Sequence, residues 1–135
     1  MENSMHKGSC LCGAVKYEID GELGPINLCH CSKCRKANGS AFLAASLVKK
    51  ADLRIVSGSD HLAEYESGPG VGRVFCKTCA SPLYSRRDAM PEAVRLRIGT
   101  LDTPIDGKPV AHIFVGSKAE WFDIHDDAPQ YAERP

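Results

Sequence analysis

Cys29-His30-Cys31-Ser32-Lys33-Cys34 holds three cysteines in six residues, and the other four lie in Cys10-Leu11-Cys12 upstream and Cys76-Lys77-Thr78-Cys79 downstream. A C-x-x-C turn brings both sulfurs to one side of a tight bend. An extended C-x-C does the same through side-chain alternation, so each cluster offers a partial tetrahedron of metal ligands. Seven cysteines would leave a disulfide framework with one thiol over, whereas four plus three divides into a closed zinc site and an open one. Spacing leaves two partitions open. Cys31/Cys34 with Cys76/Cys79 would make an ordinary zinc ribbon and strand Cys10, Cys12 and Cys29. Cys10/Cys12 with Cys76/Cys79 would instead close one four-thiolate site and leave Cys29, Cys31 and Cys34 as one contiguous group.

Working outward, 135 residues with 43% apolar and 25% charged side chains suit one compact domain, expected over 1–135 with its core at about 6–125. Four Phe, four Tyr and one Trp are few for a core of this size, so metal is expected to support the fold. The 17 basic and 17 acidic side chains balance, and two zinc ions on all seven thiolates would bring the formal charge from 0 to −3. Such a surface has no bulk attraction for phosphate backbones, which makes nucleic acid an improbable partner. Met1 to Lys7 is polar with no apolar h-region, and the apolar stretch Ala41 to Val48 falls far short of the ~20 residues that cross a bilayer. A cytoplasmic, reducing location without a membrane is therefore expected, where clustered thiols bind metal rather than pair.

Periodicity points to a mainly β architecture. Ala14 to Ile19 alternates Val15, Tyr17 and Ile19 with polar or small residues, and Val94, Leu96 and Ile98 face away from Arg95 and Arg97. Further strands are expected at Ile26 to Cys31, Ala41 to Val48, Leu53 to Val56, His61 to Tyr65, Arg73 to Phe75, Leu83 to Ser85, Ala111 to Val115 and Trp121 to Ile124. Ser32 to Asn38 reads as about one helical turn ended by Gly39. The tail after Asp126, with Pro129 and Pro135, reads as irregular surface chain.

The chain resembles the glutathione-dependent formaldehyde-activating family, which includes centromere-protein-V-like members. The residues that carry the likeness are Gly8-Ser9-Cys10-Leu11-Cys12-Gly13-Ala14-Val15, Cys29-His30-Cys31-Ser32-Lys33-Cys34-Arg35-Lys36, Phe75-Cys76-Lys77-Thr78-Cys79-Ala80-Ser81-Pro82-Leu83, Gly99-Thr100-Leu101-Asp102, and His112-Ile113-Phe114-Val115 followed by Trp121. They come in the family's order and cover nearly the whole chain. The resemblance implies a single-domain β-tent, shared with methionine sulfoxide reductase B and built around two zinc ions per chain. It also implies the second partition, with Cys10, Cys12, Cys76 and Cys79 around a structural zinc and Cys29, Cys31 and Cys34 around a catalytic one. Ala80 departs from the pattern: it replaces the glycine usual after the late C-x-x-C, a place where glycine relaxes a strained backbone.

A zinc ion on three thiolates keeps a fourth position open and carries a net charge of about −1, which suits it to taking up a thiol rather than to polarising a carbonyl. The expected function is a carbon–sulfur lyase or synthase for the adduct of a small thiol, glutathione by the resemblance, with formaldehyde or another small aldehyde. The alternative is a non-enzymatic zinc module of the same fold that binds protein or nucleic acid. Strand alternation turns His30 away from the metal into a structural role, and His112 reads as a satisfied structural histidine that could instead donate a proton. Trp121 reads as core and Asp102 as a turn-former. Arg35-Lys36, Arg86-Arg87 and Lys49-Lys50 read as solvated pairs, and Ser9, Ser40 and Ser81 lack a His-Asp arrangement for a serine triad.

Overall fold

A computed structural model describes residues 5–135; the reading of Met1 to Ser4 as polar and leaderless lies outside the described residues. The strands are β1 (Met5–Ser9), β2 (Lys16–Asp20), β3 (Ile26–Cys29), β4 (Leu43–Lys49), β5 (Leu53–Ser57), β6 (Leu62–Gly68), β7 (Val71–Cys76), β8 (Pro82–Arg87), β9 (Met90–Arg97) and β10 (Pro109–Ile113). Among the described residues one α-helix, α1 (Ser32–Asn38), and four single 3-10 turns complete the regular structure, so the chain is mainly β. Among the described residues no helix is long and apolar enough to cross a membrane.

Two sheets form. The small one has the order β1-β2-β5 and the large one β10-β3-β4-β9-β8-β7-β6. β10 runs parallel to β3, and every other neighbouring pair is antiparallel. The core lies where the sheets face each other: Val15, Tyr17 and Ile19 on and beside β2 pack against Val48, Val94, Leu96 and Leu83 of the large sheet. Burying such side chains contributes roughly 1.5–3 kcal/mol each, which is why the period-2 pattern of β2 and β9 fixes their registers. Leu43 and Ala45 of β4 point to the opposite face of the large sheet, where they join Cys29, Cys34 and Ile113 in a second buried cluster.

Close backbone approach explains two glycines. A Cβ on Gly8 would lie 2.1 Å from the Tyr17 ring, so only glycine lets β1 pass over this core tyrosine. Gly58 has φ +80° and would place a Cβ 2.0 Å from the Ala14 carbonyl oxygen.

Two local expectations fail. β1 lacks apolar alternation, yet it pairs with β2 along its whole length and seats Gly8 on Tyr17. Trp121 to Ile124 is not a strand, and Trp121 is 73% exposed. The aromatic that packs there is Phe122, whose ring stands 5.6 Å from that of Phe42 and 6.3 Å from that of His30. The carboxy-terminal tail is irregular and largely exposed, as expected, and it is also fastened down. His112 N–H donates to Pro129 O and Tyr131 N–H to His112 O, both at 2.9 Å, and the Phe114 and Val115 N–H groups donate to Glu133 and Tyr131 carbonyls. The tail thus lies along β10 and covers that edge of the large sheet.

Candidate metal centres and the cavity beside them

The structure gathers the seven thiols as four and three. In each group all sulfurs lie within 4.8 Å of one another.

Cys10 and Cys12 sit in the turn between β1 and β2. Cys76 ends β7, and Cys79 lies in the turn before β8. Both turns are tight knuckles: Gly13 N–H donates to Cys10 O at 3.1 Å and Ala80 N–H to Cys76 O at 2.7 Å. The two are stitched together by Leu11 N–H donating to Ser81 Oγ at 2.8 Å. Cys10 and Cys12 Sγ are 3.6 Å apart, and Cys12 and Cys76 Sγ are 3.9 Å apart. Four sulfurs at about 2.3 Å around a tetrahedral zinc would stand ~3.8 Å apart, so this donor set fits such an ion. Val15 N–H points at Cys10 Sγ at 3.2 Å, a dipole that favours the thiolate. The Ser81 hydrogen bond, with help from nearby backbone donors, draws the Cys79 thiol down to about 5. Ala80 carries φ +67°, in the left-handed region that glycine prefers, so the residue that departs from the family pattern bears the knuckle's strain.

The second group is on the other side of the large sheet. Cys29 ends β3, Cys31 is the N-cap of α1, and Cys34 lies in its first turn. Cys31 Sγ accepts from Cys34 N–H at 3.3 Å, and Gly39, φ +62°, closes the helix. This polar stretch is helical because the cap turns the chain and brings Cys34 back over Cys29. Among the described residues no fourth His, Cys, Asp or Glu joins the group. The Cys34 thiol is drawn down to about 4 by its hydrogen bond with Cys29, aided by Cys31 and by Arg73, whose Nη2 lies 3.8 Å from the sulfur. Cys29, the other side of that hydrogen bond and itself buried, is pushed up.

His30 points away from this group. It is fully buried, and its Nε2 lies 2.9 Å from His112 Nδ1, whose own Nε2 lies 3.0 Å from both carboxylate oxygens of Asp126. Asp126 accepts from His112 Nε2–H, so the network assigns His112 Nδ1 as acceptor and His30 Nε2–H as donor. Desolvation holds His30 below the usual imidazole range, with His112 as a lesser cause. Both histidines therefore pin the tail to β3 and β10. Asp102 accepts from the Ser9 hydroxyl at 2.7 Å and fastens its loop to β1.

A cavity of about 320 Å³ opens beside Cys29, Cys31 and Cys34. Its walls include Lys33, Arg73, Arg87, Arg95 and Arg134, and among the described residues no Asp or Glu lines it. Sequence reasoning missed these groups. Arg87 was expected to be solvated surface, and Arg95 to lie on a polar strand face. Arg73, Ser85 and Arg95 are direct cross-strand neighbours on β7, β8 and β9, so that polar face is the wall of a cavity. Its signal is present in the alternation of β9, which sets Arg95 and Arg97 opposite the apolar face but does not say what they meet. Arg35 and Lys36 do not line the cavity. A larger groove of about 630 Å³, between the β2–β3 turn and the segment 104–110, contains no cysteine.

The family model described as glutathione-dependent formaldehyde-activating enzyme matches residues 5–117. A Halomonas elongata protein provisionally named a glutathione-dependent formaldehyde-activating enzyme is 33% identical over 126 residues, which cover 87% of this chain and 80% of that protein. An uncharacterized lyase of Schizosaccharomyces pombe is 34% identical over 79 residues, covering 58% of this chain and 56% of its own length. An Aspergillus oryzae protein with the same provisional name as the Halomonas one is 27% identical over 91% of this chain and 56% of its own. The crystal structure of a Rhodobacter sphaeroides protein superposes with a TM-score of 0.62 at 30% identity, covering 74% of this chain and 91% of that one.

Proposed function

Because the chain belongs to the glutathione-dependent formaldehyde-activating family, we propose that it forms and breaks the adduct of a small thiol, glutathione by kinship, with formaldehyde or another small aldehyde. In this reading Cys10, Cys12, Cys76 and Cys79 hold a structural zinc, and Cys29, Cys31 and Cys34 hold the zinc at which the thiol reacts. The whole chain, 1–135, acts as one domain in a reducing compartment such as the cytoplasm, where its thiols stay free for metal.

The observation that carries the reading is a group of three thiols with no fourth protein donor among the described residues, facing a cavity. When bound there, zinc would keep one position for an incoming thiol and hold it deprotonated at neutral pH. The thiolate sulfur adds to the carbonyl carbon, the carbon–oxygen π pair moves to oxygen, and one proton ends on that oxygen. The reverse reaction releases thiol and aldehyde. Arg73 helps to favour the Cys34 thiolate, and its buried Nε and Nη1, which have no partner among the described residues, are donors suited to a developing alkoxide. The cavity is a half-open recess beside the three sulfurs, a shape that suits a small ligand better than the flat patch an interaction module would present.

Cobalt replaces zinc with a visible thiolate charge-transfer absorption. Adding glutathione to the cobalt-loaded protein is expected to change that absorption as a further sulfur enters, and Cys31→Ser is expected to abolish the change. An unaltered spectrum would overturn the reading and leave the non-enzymatic zinc module.

A further inference from the structure

Arg97 is a buried cation without an acidic partner. It is 6% exposed, and among the described residues it forms no ion pair, although Arg54 and Arg86 on the surface do. Its Nη1 donates to Ser85 Oγ at 3.2 Å and to Arg95 O at 3.0 Å, both neutral acceptors, and its buried Nε has no partner. An ion buried on those terms costs much stability unless an opposite charge lies near.

The strand registers show where that charge can lie. Arg97 stands directly opposite Ala45 across the β4–β9 ladder, and Leu43 stands opposite Cys29 across β3–β4. Ala45 and Leu43 belong to the buried cluster of Cys29 and Cys34, so Arg97 shares the sheet face that carries the three-thiol group. Desolvation, then Arg95 and Arg73, lower its affinity for the proton, while Cys34 and Cys29 act in the opposite sense, and it stays charged at neutral pH. Arg97 does not line the cavity, so it acts on a ligand there through its field and not by contact.

The charges can be compared in the two states of the site. A divalent ion on three thiolates carries about one negative charge, and an anionic fourth ligand would raise that to about two. Arg97 and Arg73, which also buries nitrogens without a partner and lies beside Cys34, supply two positive charges. Those match the second state and exceed the first. Among the described residues no Lys or Arg donates to the sulfurs of the four-cysteine group, where a fourth protein thiol already closes the set.

Resting on the open metal site proposed above, we propose that Arg97 is a positioning residue: its buried fixed charge, with that of Arg73, makes the three-thiolate centre take an anionic fourth ligand in preference to a neutral one. It thereby favours a thiolate over water at the open position without touching either.

The probes are azide, a monoanion, and imidazole, a neutral donor of similar size. Each is titrated into the cobalt-loaded protein at about pH 8, where free imidazole is uncharged, and binding is read from the visible cobalt absorption. Arg97→Met is expected to weaken azide binding about tenfold and to leave imidazole binding within about twofold of wild type. Arg97→Lys, which keeps the charge, should hold azide binding within about threefold of wild type. A residue that only supports the fold would weaken both ligands alike, and that result overturns the proposal. So does azide that fails to bind wild type, azide binding that Arg97→Met leaves unchanged, or an Arg97→Lys protein as weak toward azide as Arg97→Met. Should Arg97→Met not fold, wild type decides. A centre of about one negative charge without balancing cations prefers the neutral donor, so tighter binding of azide supports the proposal and tighter binding of imidazole overturns it. Neither probe is a thiol, so a failure here is distinct from a failure of the glutathione titration.

Discussion

Cys76→Ser is expected to lose the cooperative fold. Cys76 is fully buried at the end of β7, belongs to the core between the sheets, and stands 3.9 Å from Cys12 across a sequence separation of 64 residues. Closing a loop of that length by a covalent cross-link would remove roughly 4 kcal/mol of unfolded-chain entropy, and a bound zinc imposes the same constraint. Structural zinc contributes about 10–16 kcal/mol of binding free energy in small domains, against a total stability of about 5–15 kcal/mol. Losing one of four thiolates forfeits a large part of that and also places a hydroxyl in an apolar core. The variant should show no sigmoidal melt by circular dichroism and collapsed dispersion in its amide NMR spectrum, with or without added zinc. A melt within a few degrees of wild type would show that the four-cysteine cluster does not hold the fold.

Cys31→Ser is expected to do the reverse, abolishing exchange while sparing the domain. Cys31 caps α1, and serine is among the best residues at that position, so the helix keeps its cap. The local site spans only six residues, so losing its metal opens no long loop. Uncatalysed addition of thiols to formaldehyde is fast, so the measurement is exchange between free glutathione and adduct at equilibrium by NMR. Wild type should exceed background by at least tenfold, and Cys31→Ser should fall to it with a melting temperature within about 5 °C of wild type. Equal destabilisation of Cys31→Ser and Cys76→Ser would make the three-thiol group structural and remove the main argument for catalysis.

How much of this was legible depends on what each residue's neighbours supply. β2 and β9 announce themselves because one face meets the core, so Val15, Tyr17, Ile19, Val94 and Leu96 recur at period 2. β1 does not, because Met5–Ser9 is held by its pairing with β2 and by a glycine over Tyr17. The cysteine spacings display both clusters, but the link from Cys10 and Cys12 to Cys76 and Cys79 is a tertiary fact that spacing left open. The arginine wall was hidden for a different reason. Alternation reports which face is apolar, and Arg97 breaks the usual inference that the other face meets water: it is buried, donates to Ser85 Oγ and Arg95 O, and is drawn down to about 10 by desolvation. Trp121 misled in the opposite sense, since a lone tryptophan near an apolar run need not be the residue that packs.

The two thiol groups also differ in when a growing chain can complete them. The three-cysteine group is finished as soon as Cys34 is made, whereas Cys10 and Cys12 leave the ribosome first and are answered last. At about 5–20 residues per second, the 64 residues from Cys12 to Cys76 take about 3–13 s to synthesise. Throughout that interval the amino-terminal pair travels without its partners, open to oxidants and to copper, which binds thiolates more strongly than zinc. The clasp that joins the sheets is thus the later of the two thiol groups to be gathered, and its first pair is the one that waits longest for a metal ion.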